Sequence, residues 1–268
     1  MEKGTLHWNM TKYERGVYSE ENDEVAIEFP LTIHINGEEY ATMVCTPLYL
    51  EELVIGFLAT EGIIRTTKDV KSISIDKDMG FAYIDIHRTF QRLNAGDKRW
   101  IGSCCGKSRS FYFQGDAKTA RTVLSHFHVE PEVCLTLMNE FHNHAEMFQR
   151  TGGVHQAALA DKDGMQIVFS DIGRHNALDK LYGYMLKHSM QNNQKIIIFS
   201  GRISSEVLLK VSKMGIGFLL SKSAPTNLAL ELAYDLNITA AGFVRNDRMN
   251  IYTHPERIIE TNKQRDLS

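Results

Sequence analysis

Two cysteines with no residue between them, Cys104 and Cys105, stand in the run Gly102-Ser103-Cys104-Cys105-Gly106-Lys107-Ser108-Arg109-Ser110. Consecutive Cα atoms are held ~3.8 Å apart, whereas bridged cysteines want ~4.4–6.8 Å, so a vicinal disulfide would be strained. Neighbouring side chains also diverge, which makes the pair a poorer metal chelate than a C-x-x-C knuckle. What remains is a pair of reduced thiols in a small-residue loop. Lys107 and Arg109 can lower a thiol pKa, and the thiolate is the nucleophile; the same cations also suit a loop that is merely soluble. Cys45 and Cys134, the other two of four cysteines, sit in apolar runs and read as buried structural thiols.

A second set of polar residues follows predicted strands. Ser170 to Asn176, Ser200-Gly201-Arg202, Ser221-Lys222-Ser223 and Arg245-Asn246-Asp247-Arg248 all do so. Loops beyond the carboxyl ends of strands form the ligand crevice of an α/β sheet, and helices that begin there point free N–H groups at anions. Arg174, Arg202, Arg245 and Arg248 have the fork that suits phosphate oxygens. Each could equally pair with a nearby acid such as Asp171 or Asp247. Four such loops favour a phosphorylated ligand, but neither a Walker lysine nor G-x-G-x-x-G names it.

The elements that must position these groups fall into two regimes. Val25–Phe29, Leu31–Ile35 and Glu38–Val44 alternate like strands, with Asn36-Gly37 as a hairpin turn. A helix opens at Glu51-Glu52 and closes near Gly62, and 72–86 reads as a further hairpin turning near Asp76-Lys77-Asp78. Residues 1–100 are thus expected to form a small α+β domain, 101–128 a mobile cysteine loop and linker. From 129 onward strands and helices alternate: one helix over 130–150, strands at 165–170, 195–199, 216–220 and 238–244, helices between them. Val154–Ala160 fits either a strand or a buried helix. That pattern predicts a mostly parallel sheet covered on both faces over 129–268.

Composition narrows the class. Of 268 residues, 43% are hydrophobic and 24% charged, with 5 prolines, which is ordinary globular usage. A net charge of −3 excludes a wholesale basic surface, so nucleic acid is not an expected partner. No apolar run approaches the ~18 residues of a spanning helix, and residues 1–16 carry no apolar signal region. A soluble, cytoplasmic protein is expected.

Several blocks carry a resemblance. Cys45 through Ile64 (CTPLYLEELVIGFLATEGII), Thr151-Gly152-Gly153-Val154-His155, Asp171 through Lys180 (DIGRHNALDK), Ser200-Gly201-Arg202, Ser223-Ala224-Pro225-Thr226, and Phe243 to Arg245 through Tyr252-Thr253-His254-Pro255-Glu256-Arg257 occur in that order. Together they resemble the FdhD family of formate dehydrogenase accessory sulfurtransferases over nearly the whole chain.

The resemblance implies a carrier that takes persulfide sulfur from an L-cysteine desulfurase and passes it to the molybdenum cofactor before insertion into formate dehydrogenase. The family's C-x-x-C-G-K loop maps onto Cys104-Cys105-Gly106-Lys107 with the two intervening residues missing; which thiol corresponds to the first family cysteine stays open. The family's cofactor segment maps onto Phe243, Val244, Arg245, Asn246, Asp247 and Arg248. The implied ligand is molybdenum bis(molybdopterin guanine dinucleotide), held through its guanine nucleotide moiety, and a homodimer is expected. No structural metal is expected, because no C-x-x-C or clustered His/Cys ligand set is present.

The resemblance also implies a cytidine-deaminase-like three-layer α/β/α fold for the C-terminal domain. Deaminase chemistry does not follow, because zinc deaminases need H-x-E and a downstream P-C-x-x-C. His144-Ala145-Glu146 supplies the first, nothing supplies the second, and both side chains are expected on a helix surface. A cofactor-binding chaperone that transfers no sulfur is the alternative reading.

Overall fold

The computed structural model describes residues 4–87, 99–101, 120, 122–124 and 127–259. The first element is a long hairpin of Thr5–Glu14 (β1) and Val17–Ala26 (β2). Its turn residues Arg15 and Gly16 both take positive φ, 51° and 88°, the signature of a two-residue turn whose twist matches the strands. Sequence reading placed no strand at β1, whose exposed residues show no buried face.

The N-terminal sheet holds Phe29–Ile35 (β3), Glu38–Cys45 (β4), Val70–Asp76 (β5), Phe81–Ile86 (β6) and Arg99–Ile101 (β7) in the order β5-β6-β3-β4-β7. Asn36 and Gly37 turn β3 into β4, as their Asn-Gly signal predicts. The helix Leu50–Thr60 (α1) buries every residue from Leu53 to Thr60. Leu53 and Leu58 pack in one core with Leu31, Ile33 and Met43 of the sheet. A helix apolar all round needs cover on more than one side, and the second cover comes from the C-terminal unit.

That unit begins with Pro131–Asn143 (α2) and Glu146–Thr151 (α3), two helices where one was expected. They break at His144 and Ala145, neither of which takes helical backbone angles. Its sheet contains His155–Asp161 (β8), Gly164–Asp171 (β9), Ile196–Phe199 (β10), Phe218–Ser221 (β11), Thr239–Arg245 (β12) and Arg248–Ile251 (β13). The helices are Arg174–Lys187 (α4), Ser205–Met214 (α5) and Asn227–Asp235 (α6).

The strand order is β13-β12-β11-β10-β8-β9. Only β10–β11 and β11–β12 pair in parallel; β12–β13, β10–β8 and β8–β9 are antiparallel. The expectation of a mostly parallel sheet is therefore corrected. Two-residue connections join β8 to β9 and β12 to β13, and so short a link permits only antiparallel neighbours. Even so β9, β10, β11 and β12 all run the same way, because β8 reverses direction between β9 and β10.

The alternation of β10 divides the core. Ile197 and Phe199 pack with Leu178, Leu181 and Val207 of α4 and α5, while Ile196 and Ile198 pack with Cys134, Leu137 and Phe141 of α2. Helices thus cover both faces.

Candidate functional site

Because four strands point one way, their carboxyl ends deliver Asp171–Arg174, Ser200–Arg202, Ser221–Ser223 and Arg245 to a single sheet edge. Backbone hydrogen bonds lace the loops together. Ile203 N–H donates to Ala224 O at 3.0 Å, Thr226 N–H to Ile203 O at 3.0 Å, and Phe243 N–H to Ser223 O at 3.2 Å. Ser221 Oγ donates to Gly201 O at 2.7 Å. The start of β8 joins the same edge, with Gln156 N–H donating to Ser200 Oγ at 2.9 Å and His155 opposite Asp171. Burial lowers the pKa of His155, and the nearby charges of Arg174 and His175 add to the effect.

The segment Phe243–Arg248 is shaped by a register shift between Gly242 and Arg245. Phe243 and Asn246 both adopt φ of 52°, a conformation a bulky residue takes only where surrounding structure imposes it. Gly242 makes the passage possible, since a Cβ there would lie 2.8 Å from Ser223 O. Arg245 stands over the Phe243 ring at 5.8 Å, and Arg245, Asn246, Asp247 and Arg248 are exposed. Val244 differs from its neighbours: its side chain is fully buried in the core, so it offers a ligand only its backbone.

Among the described residues no ion pair engages Arg174, Arg202, Arg245 or Arg248. Asp171, the acid that sequence placed beside Arg174, is taken elsewhere. Its Oδ2 lies 2.6 Å from Lys180 Nζ with both side chains fully buried, and it accepts Thr46 N–H at 3.1 Å. Its Oδ1 accepts Gly173 N–H at 2.8 Å and Asn176 Nδ2 at 2.9 Å. Asn176 Nδ2 also reaches Val44 O at 2.8 Å, and Lys180 reaches Thr46 O at 3.2 Å. Asp179 Oδ1 accepts Thr60 Oγ1 at 3.0 Å and Lys210 Nζ at 2.6 Å.

Much of the DIGRHNALDK block is therefore a buried joint between the two units, a role sequence reading missed. Its available signal was Asp179-Lys180 flanked by Ala177, Leu178 and Leu181, two charges set within an apolar stretch of the helix. Arg174 and His175 remain for the crevice. His175 Nε2 lies 2.9 Å from Glu206 Oε2, close but not aligned as a hydrogen bond, and its presence holds the Glu206 carboxyl below the usual range.

The two described cysteines are free and buried. Burial, with Asp171 adding, pushes the Cys45 thiol up to about 12; burial pushes Cys134 up to about 12 as well. Cys104 and Cys105, with Lys107 and Arg109, lie outside the described residues. His144 and Glu146 are both exposed, though His144 lies in the break between α2 and α3 and not on a helix, and no three His, Cys, Asp or Glu side chains gather as a metal site among the described residues. No helix among them is long and apolar enough to cross a membrane. A separate cleft of 340 Å³, lined by Tyr49, Glu52, Ile73 and Lys77 among others, shares no residue with the crevice.

Fold and site together define a mixed α/β protein with two sheets locked through a buried ionic joint and a basic, arginine-bearing sheet edge. The chain belongs to the FdhD/NarQ family, whose profile matches residues 26–259. It is 55% identical over 258 residues to the sulfur carrier protein FdhD of Geobacillus kaustophilus, covering 93% of this chain and 95% of that one. To the sulfur carrier protein FdhD of Bacillus subtilis it is 53% identical over 261 residues, covering 97% and 99%. A crystal structure from Desulfotalea psychrophila, assigned a formate dehydrogenase accessory role, superposes with a TM-score of 0.79 at 24% identity. That match spans 96% of this chain and 100% of the other, which establishes a shared fold.

Proposed function

We propose that this protein is a sulfur carrier for formate dehydrogenase, accepting persulfide sulfur from an L-cysteine desulfurase and handing it to the molybdenum cofactor. The observation that carries the reading is the division of the four cysteines. Two are buried with pKa values near 12 and so cannot supply a thiolate near neutral pH. Sulfur chemistry then falls to Cys104 and Cys105. The relatives' name, sulfur carrier protein FdhD, points the same way.

A thiolate of the pair attacks the outer sulfur of the donor's persulfide. One S–S bond forms as the donor's breaks, and the donor cysteine leaves as its own thiolate. The cargo is molybdenum bis(molybdopterin guanine dinucleotide), with its guanine nucleotide against Phe243–Arg248 and its phosphates against the four edge arginines. The unpaired state of those arginines supports this placement, because each has its full charge available for an anion. The C-terminal unit is read as a cytidine-deaminase-like scaffold that has kept the layering without the chemistry. The exchange is placed in the cytoplasm, between homodimers and their partners.

Mass spectrometry after incubation with a desulfurase and cysteine tests the reading. The parent should gain about 32 Da, one sulfur on a thiol, and the Cys104→Ala/Cys105→Ala variant should gain nothing. Sulfur gain persisting in the double variant would overturn it.

A further inference from the structure

We propose that the β1–β2 hairpin is a docking arm for a protein partner with a basic contact surface. The proposal rests on the sulfur-carrier reading only for its choice of partners to test. The FdhD/NarQ match begins at Ala26, the last residue of β2. The arm therefore lies outside the span of the family profile, although the full-length relative from Bacillus subtilis aligns through most of it, while the crevice and the buried joint lie inside the profile.

Its base is fixed and its length is free. Ile27 N–H donates to Gly4 O at 3.0 Å, and Arg150 of α3 pairs with Glu24 at 3.3 Å. Gly4 is packed so closely that a Cβ would lie 2.7 Å from the Met147 side chain. Beyond that base every residue from Leu6 to Asp23 is exposed except Met10, which is half-buried. The ladder is unbroken from Thr5↔Ala26 to Glu14↔Val17, so the exposed part is a stiff ribbon.

The ribbon is aromatic and acidic at once. Trp8 is 64% exposed and Tyr18 74%. Residues 5–26 hold two bases, Lys12 and Arg15, against five acids, Glu14, Glu20, Glu21, Asp23 and Glu24, a net −3 that equals the charge of the whole chain. The rest of the protein is balanced.

Register pairs the two properties on each face. Trp8 lies directly opposite Asp23, and Tyr13 opposite Tyr18 with ring centroids 5.0 Å apart, on the face that also carries Glu20. Lys12 is engaged by Glu14 and Glu21; among the described residues no ion pair engages Glu20 or Asp23. A Lys or Arg placed over either aromatic face would meet both a ring and a carboxylate, the arrangement that strengthens a cation–π contact. Exposed Trp and Tyr are also the residues that dominate protein interfaces. A second copy docked arm to arm is the wrong occupant, since two arms of the same negative charge repel, and anionic lipid is disfavoured for the same reason.

The test uses full-length protein and two purified probes, an L-cysteine desulfurase and a formate dehydrogenase catalytic subunit. Binding is measured at low and high salt for the parent, a Glu20→Lys/Asp23→Lys variant and a Trp8→Ser/Tyr18→Ser variant. Both variants should bind one probe at least about tenfold more weakly, the loss expected of hot-spot residues. The parent's binding to that probe should fall with salt, and the variants should melt at the parent's temperature. Equal binding by parent and variants, or no binding of either probe by the parent, overturns the arm. So does a loss confined to self-association in sedimentation or to phosphatidylglycerol vesicles. Sulfur gain by the parent is scored separately: a parent that gains sulfur with both variants binding normally overturns the arm alone, and a parent that gains none overturns the carrier reading.

Discussion

Gly56 of α1 and Gly183 of α4 face each other where the two helices cross. A Cβ on Gly56 would lie 1.8 Å from Asp179 O, and one on Gly183 would lie 1.9 Å from Glu52 O. Backbone thus rests directly on backbone, and the N-terminal helix is pressed onto the C-terminal unit. The close crossing brings Thr60 within reach of Asp179 and Glu52 within 2.6 Å of Lys187.

Alanine at either glycine should destabilise the protein. Helix propensity alone favours Ala over Gly by about 1 kcal/mol, but overpacking against an immovable carbonyl costs about 3 kcal/mol or more. Steric cost wins, so the denaturant midpoint of Gly56→Ala and of Gly183→Ala should fall. A midpoint that stayed or rose would mean the helices separate freely.

The fully buried Asp171–Lys180 pair should be strongly coupled. Lys180→Met leaves a carboxylate buried without its cation and should cost about 3–5 kcal/mol. Asp171→Asn in the same chain should cost much less than the two single losses together. Simple additivity in denaturant titrations would show that the pair is not a unit.

Thiol titration should divide the cysteines by their burial. In the folded protein near pH 8, Cys45 and Cys134 should resist alkylation and react only once denaturant is added. Their pKa values rise from 9.0 to about 12 on folding. The stability tied to keeping them protonated is therefore complete below 9 and drains away as pH climbs towards 12. Cys45→Ala and Cys134→Ala should remove the alkaline loss each contributes; rapid labelling of either at pH 8 would contradict its burial.

Arg245→Ala and Arg248→Ala should weaken binding of GDP by about 1.5–3 kcal/mol each, the worth of a charge-assisted hydrogen bond. Both are exposed, so melting should hardly change. Calorimetry showing parental affinity in both variants would remove nucleotide binding from this edge.

The local elements were legible from residue order. Asn36-Gly37 made its hairpin, Leu53, Phe57 and Leu58 made α1, and the β10–α5–β11–α6–β12 alternation made its parallel strands, because turns, helical spacing and apolar runs act over a few residues. Placing the polar loops at one edge was also within reach, since parallel crossovers set strand direction. What tertiary structure alone decided was the use of each charge. Asp171 and Arg174 are three residues apart and looked like partners, yet Asp171 turns inward to Lys180 and Thr46 while Arg174 stays at the edge. Burial of Asp171 against Thr46, Asn176 and Lys180 determines that choice, because a desolvated carboxylate must find its cation and donors wherever packing puts them. β1 and β2 likewise carry no buried face for a periodic pattern to show, so their pairing is visible only once the chain has folded back on itself.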